Sequence, residues 1–208
     1  FELVQTINLN PTNAGSFDGI GDTYVRQITV LNEETFLITL SSFIRTIADK
    51  PGKIMDDKYL YFFLMSNDGK LITPLTEPVP LYEVTGEVAK EFQFSGPIAR
   101  VAPSPDLFTT PLIAVSEKGD IFTANSDQIF IRKYTIDGTY QRAFYHHFEH
   151  LKMVRDDAIN AQATSLLADV VSQNELPETW PAMDRFIVDN KGRFWLATIV
   201  EKLSIHEW

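Results

Sequence analysis

Cysteine is absent from all 208 residues, so disulfide bridges, cysteine nucleophiles and thiolate metal sites are excluded. The chain also has no apolar run long enough to span a bilayer as a helix. Basic residues are few, 18 Lys and Arg against 28 Asp and Glu, and no basic run could follow a phosphate backbone. We therefore expect no transmembrane segment in this chain and no nucleic-acid partner.

Signatures of catalysis and cofactor binding are missing as well. The sequence contains no glycine-rich phosphate loop, no G-x-S-x-G nucleophile motif and no H-E-x-x-H zinc motif. No catalytic residue and no cofactor is therefore predicted. The composition, 44% hydrophobic and 22% charged, is typical of a globular protein, and we expect a single domain over residues 1–208.

Strand-forming residues dominate the chain. Val, Ile, Thr, Phe and Tyr alternate in short runs, separated by turn pairs such as Asp68-Gly69 and Asp137-Gly138. The clearest unit runs from Pro111 to Phe148 and predicts four successive strands with tight connections. The sequence therefore predicts an all-β protein built of hairpins and meanders.

One strand-turn-strand phrase occurs three times, as "ITVLNEETFLITL", "IAVSEKGDIFTAN" and "FIVDNKGRFWLAT". The three copies align in register at Val30, Val115 and Val188. Gly119 and Gly192 then coincide, which fits a three-residue hairpin loop that needs one left-handed residue. Glu34 takes that place in the first copy, so we expect a different turn there.

Repetition of a four-stranded meander is typical of a β-propeller, whose blades bury their faces against one another. A β-sandwich is also rich in strands and turns, but it gives no reason for the same phrase to return. The sequence favours a β-propeller, of which about three to four blades are represented. The blade pieces are placed at about residues 1–10, 20–80, 98–150 and 181–208.

A helical insertion is predicted at about residues 155–175, where the strand pattern stops. Apolar residues there recur at helical spacing, namely Ile159, Ala163, Leu166 and Val170. Asp156 or Asp157 can cap the start of the helix, and Pro177 forbids its continuation. The helix either packs over one end of the propeller or serves as a lid or docking element at its rim.

Candidate metal ligands cluster where the meander ends. Histidine and carboxylate are a common ligand set for zinc or nickel, and this stretch contains His146, His147, Glu149 and His150. Adjacent residues of a strand face opposite sides, so at most two of the three histidines converge. An exposed strand end is the simpler interpretation, and no metal is predicted.

Candidate binding-surface residues lie near the last copy of the phrase. Asp184 and Arg185 are the only charges at the start of a largely apolar strand. The aromatic residues around them favour packing in the core and between sheets, but a ring of aromatics at a channel mouth could hold a sugar or a peptide. On that alternative Trp180 and Trp195 belong to the binding surface.

The chain resembles a bacterial family of six-bladed β-propellers related to NHL-repeat and TolB-like propellers, mostly of unassigned function. The resemblance rests on "SEKGDIFTANSDQIFIRKYTIDGTYQRAFYHHFEH" and on "LPETWPAMDRFIVDNKGRFWLATIVEKLSIHEW", and it is looser before Pro111. It implies a longer parent and export to the periplasm, the outer membrane or the cell exterior, with a lipoprotein anchor upstream as one possibility. It implies no catalytic set.

A non-enzymatic module that binds a protein or a small ligand is the leading expectation. Its recognition surface is expected at the channel mouth, in the helical insertion and in the long segment from Thr76 to Phe108. One alternative is a metal-dependent hydrolase, lactonase or lyase with a site on the propeller axis. A second is a structural scaffold, which predicts co-purifying partners and no small ligand.

Overall fold

The chain folds into antiparallel β-sheets in a computed structural model that describes residues 23–42, 59–77, 79–80, 90–93, 98–101, 107, 109–162, 168–169, 171–172 and 176–199. The expected piece at 1–10 and the end of the piece at 181–208 lie outside these residues. The strands are β1 (Thr23–Val30), β2 (Thr35–Ser42), β3 (Tyr59–Ser66), β4 (Leu71–Pro74), β5 (Val79–Pro80), β6 (Lys90–Gln93), β7 (Ile98–Val101), β8 (Pro111–Val115), β9 (Ile121–Asn125), β10 (Ile129–Tyr134), β11 (Tyr140–His146), β12 (Met183–Val188) and β13 (Phe194–Thr198).

Three of the sheets carry the repeats. The first sheet has the order β1-β2-β3-β4, with β5 also paired to β3. The second sheet is the meander β8-β9-β10-β11, which confirms the unit predicted from Pro111 onwards. The C-terminal hairpin pairs β12 with β13. Strands β6 and β7, which come between the first two sheets in the chain order, pair only with each other. Residues 98–101 therefore do not extend the meander, and the segment from Thr76 to Phe108 is not simply a loop.

The glycine turns have the predicted backbone. Gly69, Gly119, Gly138 and Gly192 all have a positive φ of 76–84°. In the second sheet the amide of Gly119 donates to the Ser116 carbonyl, and the amide of Ser116 donates to the Asp120 carbonyl. The turn between β1 and β2 differs, as expected, because it contains no left-handed residue. There the side-chain oxygen of Asn32 accepts the amides of Glu34 and Thr35.

The first sheet packs face to face on the second. A single apolar cluster joins them, formed by Leu37, Leu60, Phe62, Leu64 and Leu75 from the first sheet and by Ile121 and Tyr134 from the second. Each of these side chains is buried. Removal of this much apolar surface from water is the main force that holds the two sheets together.

The opposite face of the second sheet is covered by the C-terminal hairpin. The second cluster contains Phe122, Ala124 and Ile131 from the sheet and Met183 and Phe186 from the hairpin. Phe194 meets the rings of Phe122 and Phe144 edge to face, with centroids 5.3 and 5.0 Å apart. The second sheet is therefore covered on both faces at β9 and β10, between two neighbouring layers, whereas the side chains of its outer strand β11 are exposed or half-buried.

The repeated phrase sets the direction of this stacking. Leu37, Phe122 and Trp195 occupy the same position in its three copies. Leu37 points into the cluster with the second sheet, and Phe122 points into the cluster with the hairpin. We call the face that carries this position the leading face, and the opposite face the trailing face. The leading face of the first sheet meets the trailing face of the second sheet, and the leading face of the second sheet meets the trailing face of the hairpin.

The helical insertion is shorter and less regular than predicted. Helix α1 spans Arg155–Asn160, and the continuous helix expected through residue 175 is wrong because residues 161–162 are not helical. The Gln162 side chain donates to the Ala158 carbonyl, which would otherwise accept the next helical amide. Helical backbone returns at residues 168–169 and 171–172.

The start of helix α1 also corrects a prediction. Its N-cap is Val154, which makes no side-chain capping bond, and Asp156 and Asp157 lie inside the first turn. Carboxylates there still interact favourably with the unpaired amides of the helix start. Within the described part of the chain, no helix is both long and apolar enough to cross a membrane.

Candidate binding surfaces

The long connections before and after the second sheet lie at one end of the stacked sheets. The β9–β10 turn, the exit from β11 and the entry to β12 all lie there, since the meander alternates direction. Ser126 in the β9–β10 turn accepts the Thr110 amide through its hydroxyl at 2.8 Å, and its carbonyl accepts the Met183 amide at 3.1 Å. We call this region the insertion end, because residues 147–182 leave and return there.

The insertion has a small core of its own. Lys152 pairs with Thr179 across its base, so the segment closes as a loop. Its buried cluster comprises Met153, Ala158 and Val171 together with Leu107, and Ile159, Leu176 and Trp180 pack against it. Arg155 donates to the carbonyls of Val171 and Ser172 at 3.0 and 3.1 Å. These two bonds connect helix α1 to the helical backbone at residues 171–172.

Trp180 lies in this cluster and is half-buried there, rather than between the sheets. Its amide donates to the Leu151 carbonyl at 2.9 Å, and its carbonyl lies 3.2 Å from Nδ1 of His150. The histidine also meets Phe148 edge to face, with centroids 6.0 Å apart. Trp180 therefore fixes the base of the insertion, and His150 is held beside it.

The histidines at the end of β11 lie at the exposed surface of the insertion end. His146, His147, Glu149 and His150 are all exposed. Among the described residues, no group of three or more His, Asp or Glu side chains is arranged to hold a metal ion. The sequence cluster therefore does not become a ligand cluster in the described part of the fold.

Asp127 is the unusual polar residue of the insertion end. Its Oδ1 is buried and has no hydrogen-bond partner in the described structure. Leaving a buried acceptor unpaired costs about 1–3 kcal/mol, so such an atom is uncommon and attracts a donor when one is available. No pattern in the sequence distinguishes Asp127 from other turn residues.

A second candidate surface is the leading face of the C-terminal hairpin, which we call the Trp195 face. It consists of Arg185, Ile187, Arg193, Trp195 and Ala197, all exposed, while Phe186, Val188, Phe194 and Leu196 point to the second sheet. Ile187 is directly opposite Trp195 in the ladder, and their side chains are 59% and 56% exposed. In the described structure Trp195 is therefore exposed rather than packed in the core or between sheets, and its role in a binding surface stays a prediction.

Trp195 is held in a fixed orientation by Asp189. Its Nε1 donates to Asp189 Oδ2 at 3.1 Å, and Arg193 binds the same oxygen at 2.7 Å. The guanidinium carbon lies 5.4 Å from the centre of the Trp195 ring, within the range of a cation–π contact. An exposed aromatic side chain that is already ordered loses little conformational entropy on binding.

Asp184 and Arg185 form an ion pair with each other at 2.8 Å. Both side chains are exposed, and the ladder shifts register between Met183 and Arg185. Arg185 shares the Trp195 face, whereas Trp180 belongs to the insertion. Of the four predicted surface residues, Arg185 and Trp195 therefore share one face, Trp180 belongs to the insertion, and Asp184 lies beside the face as the ion-pair partner of Arg185. Ile187, Arg193 and Ala197, which the sequence did not single out, also belong to the Trp195 face.

Turn carboxylates have lowered pKa values. The Arg193 amide is the main cause of the low pKa of Asp189, and the Trp195 and Arg193 side chains and the Lys191 amide add to it. The Ser66 hydroxyl lowers the pKa of Asp68, and the Thr135 hydroxyl lowers that of Asp137. Hydrogen bonds to the charged form stabilise it, so these turns are strongest while the carboxylates are ionised.

Stability is therefore expected to decrease at acid pH. A carboxyl group whose pKa is lowered by folding contributes fully above its ordinary value of 3.8 and loses that contribution as the pH falls further. Urea denaturation of the wild type and of Asp189→Asn at several pH values measures the effect. The difference between the two midpoints should shrink as the pH falls below 3.8, and a constant difference would contradict the role given to Asp189.

Comparisons with known proteins add no assignment, since no protein-family model, no curated protein and no solved structure matches this chain.

Proposed function

We propose that this chain is a non-enzymatic binding module, a partial β-propeller from an exported bacterial protein, whose recognition surface is the insertion end. The observation that carries the proposal is the position of Leu107. This residue comes from the segment between Thr76 and Phe108, yet it is buried in the core of the insertion. The segment from Thr76 to Phe108 and the insertion, the two longest stretches outside the repeat, are therefore in contact at one end of the sheets.

The stacking of the layers supports the propeller architecture. A sheet with both faces covered by further sheets of the same repeat is expected inside a propeller, where each blade has two neighbours. A two-layer sandwich leaves one face of each sheet to solvent. The second sheet supports the proposal in this respect, because Ile121 faces the first sheet and Phe122 faces the hairpin.

Recognition by the insertion end has a physical basis in its composition. Connections placed on a rigid sheet scaffold present side chains that are free to contact a partner. Here they include the exposed side chains of His146, His147, Glu149 and His150. This set offers donors and acceptors to a polar partner. No arrangement of described residues favours the hydrolase or lyase alternative.

A shortened insertion tests the proposal. Lys152 and Thr179 are paired, so residues 153–178 can be replaced by a two-residue Asn-Gly turn with little change to the sheets. The same variant carries Leu107→Ser, because that side chain loses its cover, and alanine in place of His146, His147, Glu149 and His150, so that the exposed polar set is removed as well. We expect the far-UV circular dichroism of the sheets to be kept and binding to a partner isolated with the full chain to be lost.

The matched control is Ile72→Ala in an otherwise intact chain, which changes an exposed side chain of β4 in the first sheet. It should bind the same partner as the wild type does. Unchanged binding by the shortened variant would place recognition outside the insertion and contradict the proposed function.

A further inference from the structure

Strand β11 is an open edge of the second sheet. It pairs with β10 on one side, and no strand in the described part of the chain pairs with its other side. Most of its side chains are exposed, and those of Tyr140 and Tyr145 are 54% and 66% exposed. The backbone amides and carbonyls along such an edge can hydrogen-bond to a further strand.

The features that usually protect an edge strand are missing from β11. Natural edges are blunted by lysine, by proline, by inward-pointing charges or by short length. Strand β11 has seven residues and contains no Lys, Pro, Asp or Glu, whereas the outer strand β4 has four residues and ends at Pro74. The ladder between β11 and β10 shifts register beside Gln141 and is regular from Arg142 to His146, so this stretch of the edge is suited to pairing.

The sequence of β11 is suited to pairing with itself. In an antiparallel pair with Ala143 opposite Ala143 of a second copy, all the other opposed side chains differ in kind. These pairs are Arg142 with Phe144, Gln141 with Tyr145, and Tyr140 with His146. Directly opposed like charges destabilise a ladder, and this register has none, whereas a centre on Arg142 would oppose two guanidinium groups.

The chemistry of these pairs is favourable on both faces of the sheet. The guanidinium carbon of Arg142 already lies 4.9 Å from the centre of the Phe144 ring, within the range of a cation–π contact. In the pair, each Arg142 also lies opposite the partner's Phe144. On the other face, the small side chain of Ala143 leaves room at the centre for the exposed Tyr145 rings.

Net charge favours this edge over other contacts between copies. Each copy has 18 Lys and Arg against 28 Asp and Glu, so two copies repel each other at most surfaces. Strand β11 and its neighbour β10 contain no Asp or Glu. Contact through β11 therefore brings together strands that contain no carboxylate side chain.

We infer that two copies of this chain associate edge to edge through β11, in antiparallel orientation, with Ala143 on the two-fold axis. The second sheets of the two copies then form one continuous sheet. Both copies use the same edge, so the contact is closed and association stops at the dimer. Because the paired strands are antiparallel, the insertion ends of the two copies lie at opposite ends of the joined sheet.

Sedimentation velocity with a pair of charge variants tests this inference. The wild type should change from monomer to dimer as its concentration is raised. Ala143→Lys and Ala143→Glu each place two like charges opposite each other at the axis, so each variant alone should remain monomeric. An equimolar mixture of the two variants should form dimers again, because lysine then lies opposite glutamate.

Controls distinguish this edge from other contacts. Ile28→Lys changes a side chain that is 48% exposed on β1, the outer strand of the first sheet, and this variant should dimerise as the wild type does. A monomeric wild type, species larger than a dimer, dimers of one charge variant alone, or a mixture that stays monomeric would each overturn the inference.

Cross-linking replaces the charge variants if either of them loses its circular dichroism signal. The chain has no cysteine, so Ala143→Cys introduces a single thiol at the axis with little change in side-chain volume. A short bis-maleimide should join two copies through this thiol. The matched control is Ile72→Cys at an exposed position of β4, which should not be joined. Equal cross-linking of the two variants would overturn the inference, as would its absence from both.

Discussion

Phe122→Ala should lower the free energy of unfolding by about 3–5 kcal/mol, whereas Trp195→Ala should lower it by about 1 kcal/mol or less. The two residues hold the same position in the repeat, and the difference between them is the cover provided by the next layer. Phe122 is 5% exposed between the second sheet and the hairpin, so its removal leaves a cavity. Trp195 is open and leaves none.

Urea denaturation of the two variants and the wild type measures both values. Phe122→Leu is the matched control at the buried site, because it removes the ring but keeps most of the volume, and it should cost less than the alanine variant. Equal losses for Phe122→Ala and Trp195→Ala would contradict the assignment of the Trp195 face as an open surface.

Gly138→Ala should destabilise the chain more than Gly192→Ala does. Both glycines have a left-handed backbone, at φ of 83° and 76°, which costs about 1–2 kcal/mol for a residue with a Cβ. At Gly138 the new Cβ would also lie 3.2 Å from Leu64 Cδ1, in the interface with the first sheet. Leu64 is 1% exposed and has little room to move, so overpacking adds about 1–3 kcal/mol.

Gly192 provides the internal reference for this comparison, because a Cβ there would meet nothing within 4 Å. Urea midpoints of the two alanine variants separate the backbone cost from the packing cost. If both variants lose the same free energy, the turn between β10 and β11 does not pack against Leu64 as described.

The repeat was the most informative feature of the sequence. Alignment of three phrases placed a left-handed glycine at residues 119 and 192 and a different turn at Glu34, and the structure has both. These features are local, since a tight hairpin turn restricts its own backbone whatever surrounds it. The four strands of the second sheet followed from the same alternation of apolar residues.

Features that depend on distant contacts were harder to predict. Helical spacing over residues 155–175 is a property of the sequence alone. It does not report that helix α1 ends at Asn160, that the Gln162 side chain takes the Ala158 carbonyl, or that the insertion packs against Leu107. The histidines near residue 146 are close in sequence, yet adjacency along a strand end does not make their side chains converge. Strands β6 and β7 lie within the segment from Thr76 to Phe108, which the sequence pattern predicts to be a long connection without strands.

By itself, then, the sequence determined the all-β class, the meander and the glycine turns, because strand alternation and turn geometry are set by neighbouring residues. Tertiary structure alone decided which faces are covered. Phe122 and Trp195 follow nearly the same local pattern, and one is buried while the other is open, because burial depends on the layer that packs against each position. It likewise decided that Leu107 joins the insertion, since such a contact connects residues far apart in the chain.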